Sequence, residues 1–173
     1  MVVTLMTKLF AVKRVLLDSR SSTDILYKPA FDQIRIPEEQ LKPVKTPLIG
    51  FARETVLPLG SINLSIIAGS SPCQTQVQMT FLMVDTPTSY NAIIGHPGLN
   101  AIEAIVSTRH LLVKFHTRFG VGHIRGYQQV ARQCYQTTTK NKGKGKVLPI
   151  TNVELRGEVD PMRPSTRLRK RDT

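Results

Sequence analysis

Stretches in which apolar and polar residues alternate recur along most of this chain, and they constrain its fold more than any other feature. Residues 61–66 alternate strictly, and residues 74–84 alternate again through Val77, Met79 and Phe81. A period of two residues is typical of half-buried β-strands. Because strand follows strand at short intervals with hardly any long helix, the pattern predicts an all-β fold, either a small barrel or a sandwich.

The remaining elements are predicted from apolar runs and from the residues that interrupt them. Antiparallel strands are expected at 2–6 and 10–17, joined by a tight connection. One or two short helices are expected, with candidates at 29–35, 37–41 and 98–102. The other strands are predicted at 25–27, 51–57, 59–68, 74–84, 92–94, 104–106, 110–115 and 121–125.

The positive charge of the chain is unevenly distributed. The formal net charge is +12, and the segment from Lys140 onward holds ten Lys or Arg against four Asp or Glu. We expect a folded domain over residues 1–135 and a basic, low-complexity, disordered linker and tail over residues 136–173. Such a tail would attract nucleic acid weakly, without sequence specificity and in a salt-sensitive way.

Cysteine content and hydropathy limit the compartment and the cofactors. Cys73 and Cys134 are the two cysteines, and they lack the spacing of metal ligands and any secretory context. We therefore expect reduced thiols, no metal and no cofactor, in an intracellular and cytoplasmic protein. No stretch is long enough to cross a bilayer, so no membrane association is expected.

A carboxylate, Asp18, follows directly after the apolar run of residues 15–17 and precedes several small hydroxyl residues. An ionised carboxylate against apolar strands is costly unless hydrogen bonds or a partner charge stabilise it. One interpretation is a turn in which Asp18 accepts a hydrogen bond from its own backbone. The other is that Asp18 is half of a catalytic carboxylate pair.

Several segments resemble one protein family. The loop Asp18-Ser19-Arg20-Ser21-Ser22 resembles the Asp-Thr/Ser-Gly-Ser/Ala-Ser/Thr loop of aspartic peptidases, and residues 92–99 (AIIGHPGL) resemble the apolar-apolar-Gly-Arg segment of the retroviral type. Residues 24–27 (DILY), 47–51 (PLIGF), 90–95 (YNAIIG) and 130–134 (VARQC) look like the protease region of plant gypsy-type retrotransposon Gag-Pol polyproteins. The resemblance covers residues 2–135.

The resemblance implies a small closed barrel of the retropepsin type and an aspartic endopeptidase that processes a retroelement polyprotein. Peptide hydrolysis by carboxylates needs two of them, one as base and one as acid, and aspartic proteases are the standard example of such a pair. The chain supplies one matching Asp, so the implied enzyme is a homodimer with one Asp18 from each copy.

A second candidate loop, Asp85-Thr86-Pro87, follows the strand predicted at 74–84. Proline cannot supply the backbone N–H that a glycine would present to a carboxylate at this place in the motif. We therefore interpret Asp85 as a turn residue.

The resemblance also implies roles for individual residues. Ser19 would hydrogen-bond the partner's backbone across the two-fold axis, and Ser21 would hydrogen-bond the outer oxygen of Asp18. Arg20 stands where the family has the glycine closest to the carboxylate pair. The structural segment is Ile93, Ile94, Gly95 and His96, with His96 in place of the family's arginine. The flap over the substrate would include Gly50, Phe51 and Gly60.

Two alternatives to an active peptidase stay open. Glycine is favoured wherever backbone approaches a reacting group closely, and two Arg20 guanidinium groups at a two-fold axis would repel each other. If Arg20 prevents catalysis in this way, the chain is a pseudo-protease, that is, a dimerising binding module with the same fold. A third interpretation is an unrelated basic β-protein that binds nucleic acid.

Overall fold

A computed structural model of the chain describes residues 1–50, 54–140 and 153–155. The strands are β1 (Val2–Thr7), β2 (Phe10–Leu17), β3 (Asp24–Tyr27), β4 (Leu48–Ile49), β5 (Thr55–Val56), β6 (Gly60–Ser70), β7 (Cys73–Val84), β8 (Ala92–Ile94), β9 (Ile105–Ser107), β10 (Leu112–Thr117), β11 (Gly120–Arg125) and β12 (Val153–Leu155). The α-helices are α1 (Lys28–Ile34), α2 (His96–Ala101) and α3 (Gln128–Lys140), and Glu38–Gln40 form one turn of 3₁₀ helix.

Six of these strands form a closed barrel. Their order is β1-β6-β7-β3-β8-β2, and a further pairing between β1 and β2 closes the ring. The pairs β2–β8 and β3–β7 are parallel, whereas the others are antiparallel. The prediction of an all-β fold built on a small closed barrel is confirmed.

The barrel interior is filled by the inward-facing side chains of its strands. Val3, Val15, Leu26, Phe81 and Ile94 are each at most 2% exposed. A void of about 10 Å³ remains, and because apolar side chains alone line it, we expect it to be dry. The buried Ala30, Phe31 and Ile34 of α1 join the same core. Because this interior is densely packed, the strands have little freedom to move, and their ends, where the candidate site lies, are held in place.

A three-stranded antiparallel sheet, in the order β11-β10-β9, packs on the barrel. Val113 and Phe115 of β10 are at most 2% exposed and face the long β6–β7 hairpin together with Ile124. The sheet therefore buries one face and leaves the alternate residues of its other face in solvent.

Helix α3 was not expected from the sequence, and it crosses the predicted domain boundary. The linker was predicted to begin at Gln136, but α3 continues to Lys140. Cys134, 2% exposed, accepts a hydrogen bond at its carbonyl oxygen from the hydroxyl of Ser89 at 2.9 Å. The hydroxyl of Thr138 contacts the same Ser89 hydroxyl at 2.9 Å. Threonine is a poor helix former, so these tertiary contacts explain why the helix extends through Thr138.

Most of the predicted tail lies outside the described residues. Val153–Leu155 form β12, antiparallel to Phe10, Ala11 and Val12 of β2. The predicted disorder of residues 141–152 and 156–173 concerns residues that the structure does not describe. Within the described part of the chain, no helix combines the length and the apolar character needed to span a membrane.

Truncation after Lys140 should leave a cooperatively folding domain. The deletion removes β12, a three-residue addition to β2 that forms no part of the closed barrel. We expect a single thermal transition by circular dichroism, lowered by a few degrees. Truncation after Gln136 removes Thr138 and should cost a further ~1 kcal/mol, because the buried hydroxyl of Ser89 loses one hydrogen-bond partner. Loss of the cooperative transition in the longer variant would place essential structure in the tail.

Candidate active site

Asp18 lies where β2 leaves the barrel wall. The backbone N–H of Asp18 donates to the carbonyl oxygen of Ile94 at 2.9 Å, which extends the β2–β8 ladder by one residue. The chain then turns sharply, because the N–H of Ser21 donates to the Asp18 carbonyl oxygen at 3.1 Å. Asp18 is half-buried there, with its carboxylate on a loop that the barrel positions.

The Asp18 carboxylate accepts a hydrogen bond from within its own loop. The N–H of Arg20 donates to Oδ1 of Asp18 at 3.0 Å, and no other described residue donates to this carboxylate. The prediction that Asp18 caps its own backbone is therefore confirmed. Such a bond leaves the second oxygen available, so the turn and a catalytic role are compatible.

Arg20 supplies its backbone N–H without backbone strain. It does not belong to the non-glycine residues with positive φ, which are Arg14, Arg35, Glu103 and Leu111 among the described residues. Its side chain is exposed and forms no ion pair with Asp18. A single copy of the chain thus tolerates a side chain at residue 20, and any conflict arises only when another molecule covers the loop.

The expected hydrogen bond from Ser21 to the Asp18 carboxylate is not formed. The hydroxyl of Ser21 donates to the carbonyl oxygen of Thr23 at 2.7 Å. A serine hydroxyl has one proton, so the same group cannot also donate to Asp18. Ser21 therefore stabilises the far end of the loop. Ser19 is exposed, and its contact with a partner chain stays a prediction.

The segment from Ile93 to His96 supports this loop through its backbone. The N–H of His96 donates to the Ser21 carbonyl oxygen at 2.8 Å. Gly95 lies so close to the loop that a Cβ there would be 2.4 Å from the Thr23 carbonyl oxygen. The imidazole of His96 is exposed and contacts Asn100 of its own helix at 3.0 Å. Because the backbone provides the support, it does not depend on the side chain of residue 96.

Asp24 is not among the site residues predicted from the sequence. The structure places its carboxylate against the backbone of Gly95 and Gly98, next to the segment that supports the Asp18 loop. Asp24 is 2% exposed, and its Oδ1 accepts the N–H of Gly95 at 2.7 Å and of Gly98 at 3.2 Å. Burial raises the pKa of this carboxyl group, and the two backbone hydrogen bonds oppose that rise. The sequence signal was a carboxylate at the start of an apolar strand.

The residues predicted for the flap fall in two different places. The strands β4 and β5 form a hairpin in which the N–H of Gly50 donates to the Glu54 carbonyl oxygen at 2.9 Å. Phe51 lies outside the described residues. Gly60 begins β6 and is buried against Leu41 and Lys42. The approach is so close that a Cβ at Gly60 would lie 3.0 Å from the Lys42 carbonyl oxygen. Gly60 is therefore a close-approach residue of the barrel and lies outside the β4–β5 hairpin.

Other candidate groups in the described chain stay apart from this site. Asp85 is exposed beyond the end of β7, consistent with a turn residue. Among the described residues, no group of three or more His, Cys, Asp or Glu side chains could hold a metal ion. Cys73 and Cys134 are both free thiols, and burial raises the pKa of Cys134.

Asp24 should make the stability of the fold depend on pH in the acid range. Its pKa is raised above the ordinary 3.8 in the folded chain, so the folded state binds this proton more tightly than the unfolded state. Its contribution is complete below 3.8 and is lost as the pH rises through the folded value. In Asp24→Asn the amide oxygen still accepts both N–H groups, but this pH dependence should disappear. Denaturant unfolding of both proteins across the acid range measures the difference, and parallel pH profiles would contradict the assignment.

The fold is similar to that of a solved structure of the retroviral protease-like domain of Ddi1 from Leishmania major. The match covers 70% of this chain and 91% of that chain, with a TM-score of 0.51 and 15% sequence identity. No family model matches the chain, and no curated protein sequence matches it. The likeness at this identity concerns the fold alone. Together with the closed six-stranded barrel, it shows that this chain has a retropepsin-like fold.

Proposed function

We propose that the chain is one half of a homodimeric aspartic endopeptidase of the retropepsin type, with Asp18 as its catalytic residue. The observation that carries the proposal is the loop after β2 in a retropepsin-like barrel. Asp18 is half-buried there, with one carboxylate oxygen accepting the N–H of Arg20 at 3.0 Å. Hydrogen bonds to the barrel hold this loop in place, so its carboxylate has a defined orientation. Acid–base catalysis requires such a defined orientation of the carboxylate toward the reacting group.

The chemistry requires a second carboxylate close to Asp18. Like charges that close cannot both ionise, so the pair shares one proton. The ionised carboxylate takes a proton from a water molecule, and the protonated one polarises the scissile carbonyl group. The water oxygen then attacks the carbonyl carbon, and the protonated carboxyl group gives its proton to the carbonyl oxygen. The C–N bond of this intermediate breaks as the amine takes the proton that was removed from water, and the intermediate returns a hydroxyl proton to the other carboxylate.

Neither Asp24 nor Asp85, the other candidate carboxylates named above, suits the second role. Asp24 is buried and accepts two backbone hydrogen bonds from Gly95 and Gly98. Asp85 is exposed just beyond the end of β7, two residues before Pro87. A second copy of the chain, related by a two-fold axis that passes between the two loops, supplies an equivalent Asp18. Dimerisation is thus a condition for activity in this proposal.

Arg20 lowers the activity in this proposal. In a two-fold arrangement the two guanidinium groups would face each other and repel. A guanidinium group near Asp18 would also favour the charged form of the carboxylate, and two charged carboxylates lack the required acid. Arg20 equally favours a second candidate function, in which the same dimer binds a polypeptide without cleaving it.

The proposed substrate is a polypeptide, specifically the polyprotein of a gypsy-type retrotransposon. The support is the resemblance of residues 24–27, 47–51, 90–95 and 130–134 to the protease region of such polyproteins. A carboxylate pair hydrolyses peptides with water alone, so the proposal includes no metal and no cofactor.

Cleavage of an unfolded casein substrate at acid pH, measured over a range of protein concentrations, tests this proposal. We expect weak activity whose specific rate increases with protein concentration, because two chains make one site. A statine-containing peptide, which resembles the tetrahedral transition state, should inhibit it. Sedimentation velocity on the same samples gives the dimer fraction.

Two outcomes would separate the candidates. A concentration-dependent dimer that binds the statine peptide without cleaving casein would favour the binding module. Full peptidase activity from a strict monomer at high micromolar concentration would contradict the shared site.

A further inference from the structure

The net positive charge of the folded part of the chain comes mainly from the region of the three-stranded sheet and α3, because this region lacks acidic residues. No Asp or Glu occurs between Ala104 and Val153, so the whole sheet and both of its connections lack acidic residues. The same segment contains Arg109, Lys114, Arg118 and Arg125, all exposed. Among the described residues, none of these cations forms an ion pair with a carboxylate. The sheet therefore carries uncompensated positive charge.

The strand register brings several of these side chains onto one face. Lys114 pairs with His123, and Leu112 pairs with Arg125. Alternate residues of a strand share a face, and neighbours across a pair lie on the same side. Lys114, His116, His123 and Arg125 therefore share the outer face, whereas Val113 and Phe115 point into the core. We name these four outward residues, with Arg118 in the β10–β11 turn, the basic face.

Exposed aromatic rings lie at the two ends of β11. Phe119, in the turn before β11, is 68% exposed, and Tyr127, just after it, is 49% exposed. Residues 119, 121, 123, 125 and 127 are all exposed. Between the two rings lie Val121, His123 and Arg125, and Lys114 pairs with His123 from the neighbouring strand. At about 3.3 Å per residue, the six residues of β11 span about 20 Å.

We propose that the basic face binds single-stranded nucleic acid, with Lys114, Arg118 and Arg125 contacting phosphates and with Phe119 and Tyr127 stacking on bases. Cationic strips that follow a backbone beside exposed rings are the common design of proteins that bind single strands. An acidic polypeptide would also satisfy the cations, but it offers no planar bases for the two rings. This binding uses no residue of the Asp18 loop, so it is independent of the proposed peptidase.

Fluorescence anisotropy with a labelled single-stranded oligouridylate, over a series of salt concentrations, tests the proposal on the full chain. The face variant replaces the three exposed cations by glutamine: Lys114→Gln, Arg118→Gln and Arg125→Gln. We expect its affinity to fall about ten-fold or more, and the slope of log affinity against log salt to become shallower by about two. Thermal melts should be unchanged, because these side chains are in solvent.

Matched variants distinguish the face from a general effect of charge. One control removes three exposed lysines elsewhere on the domain: Lys8→Gln, Lys42→Gln and Lys45→Gln. A second removes three lysines of the tail: Lys142→Gln, Lys144→Gln and Lys146→Gln. Both should weaken binding clearly less than the face variant does. If the tail variant carries the whole loss and the face variant behaves like the domain control, the proposal is wrong.

The ring variant, Phe119→Ala with Tyr127→Ala, tests the choice of partner without changing charge. Stacking should make its affinity for oligouridylate about five-fold lower or worse, with an unchanged salt slope. Competition with poly-glutamate at equal charge should displace the RNA poorly. If the ring variant binds as tightly as the unmodified chain and poly-glutamate competes equally well, the face recognises acidic polypeptides and the nucleic-acid proposal is overturned.

Discussion

Arg20→Gly should raise the acid-pH endopeptidase activity of this chain by about 10²-fold or more, the scale of a general acid–base contribution. The backbone N–H of residue 20 already donates to Oδ1 of Asp18, and residue 20 has no positive φ to relax. The substitution therefore leaves the loop of a single chain nearly unchanged. Its effect should arise in the dimer, where it removes two facing cations and restores the proton shared by the two carboxylates.

The measurement is kcat/KM on a casein-derived peptide together with the dimer dissociation constant from sedimentation. We expect both to improve in Arg20→Gly, because the repulsion at the two-fold axis disappears. Adding Asp18→Asn should abolish the activity while the dimer persists, since an amide cannot take a proton from water. Arg109→Gly serves as a matched control, because Arg109 is also exposed and in a turn, and likewise has no positive φ.

Three results would revise this assignment. Robust, statine-sensitive cleavage by the unmodified chain would show that the site tolerates Arg20. An inactive but dimeric Arg20→Gly protein would place the defect elsewhere, with His96 as the next residue to test. Equal gains from Arg20→Gly and Arg109→Gly would indicate a general effect of lower charge.

Gly95→Ala should be the most destabilising small substitution near the site. The added Cβ would lie 2.4 Å from the carbonyl oxygen of Thr23 and 2.7 Å from that of Ser21. Both atoms belong to the backbone, so relief requires the Asp18 loop to move away from β8. We expect a loss of about 3 kcal/mol in the free energy of unfolding, and loss of whatever peptidase activity the Arg20→Gly background has.

Gly50→Ala is the matched control for this substitution. A Cβ at Gly50 would approach the side chain of Glu54, at 2.9 Å from Cγ, and this flexible, exposed chain can rotate aside. Denaturant unfolding should therefore show a loss for Gly95→Ala that is several times larger. Similar losses in both variants would mean that the Gly95 contact is not specific to the loop.

The six strands of the barrel, and the place of Asp18 at the end of one of them, were determined by the sequence alone. Alternation within residues 61–66 and 74–84 reports which side chains face the core, and this information is local. The apolar run before Asp18 likewise predicts a strand that ends at a carboxylate. Helix α3 runs four residues past Gln136, where the sequence predicts the start of a polar linker, and the contact of Thr138 with Ser89 joins residues 49 apart in the chain, which no local pattern reports.

Only the tertiary structure decided how the loop is supported and what Asp24 does. The hydrogen bond from the N–H of Gly95 to Asp24 spans 71 residues of sequence, and no local pattern around either residue indicates it. The Ser21 hydroxyl donates to the Thr23 carbonyl oxygen within the loop itself, and the backbone of Gly95, which lies against the carbonyl oxygens of Ser21 and Thr23, helps to set the shape of that loop. The alternation of apolar and polar residues predicts which face of each strand is buried. Which strands lie next to each other depends on how the barrel closes, and the neighbouring strands determine the hydrogen bonds of the site.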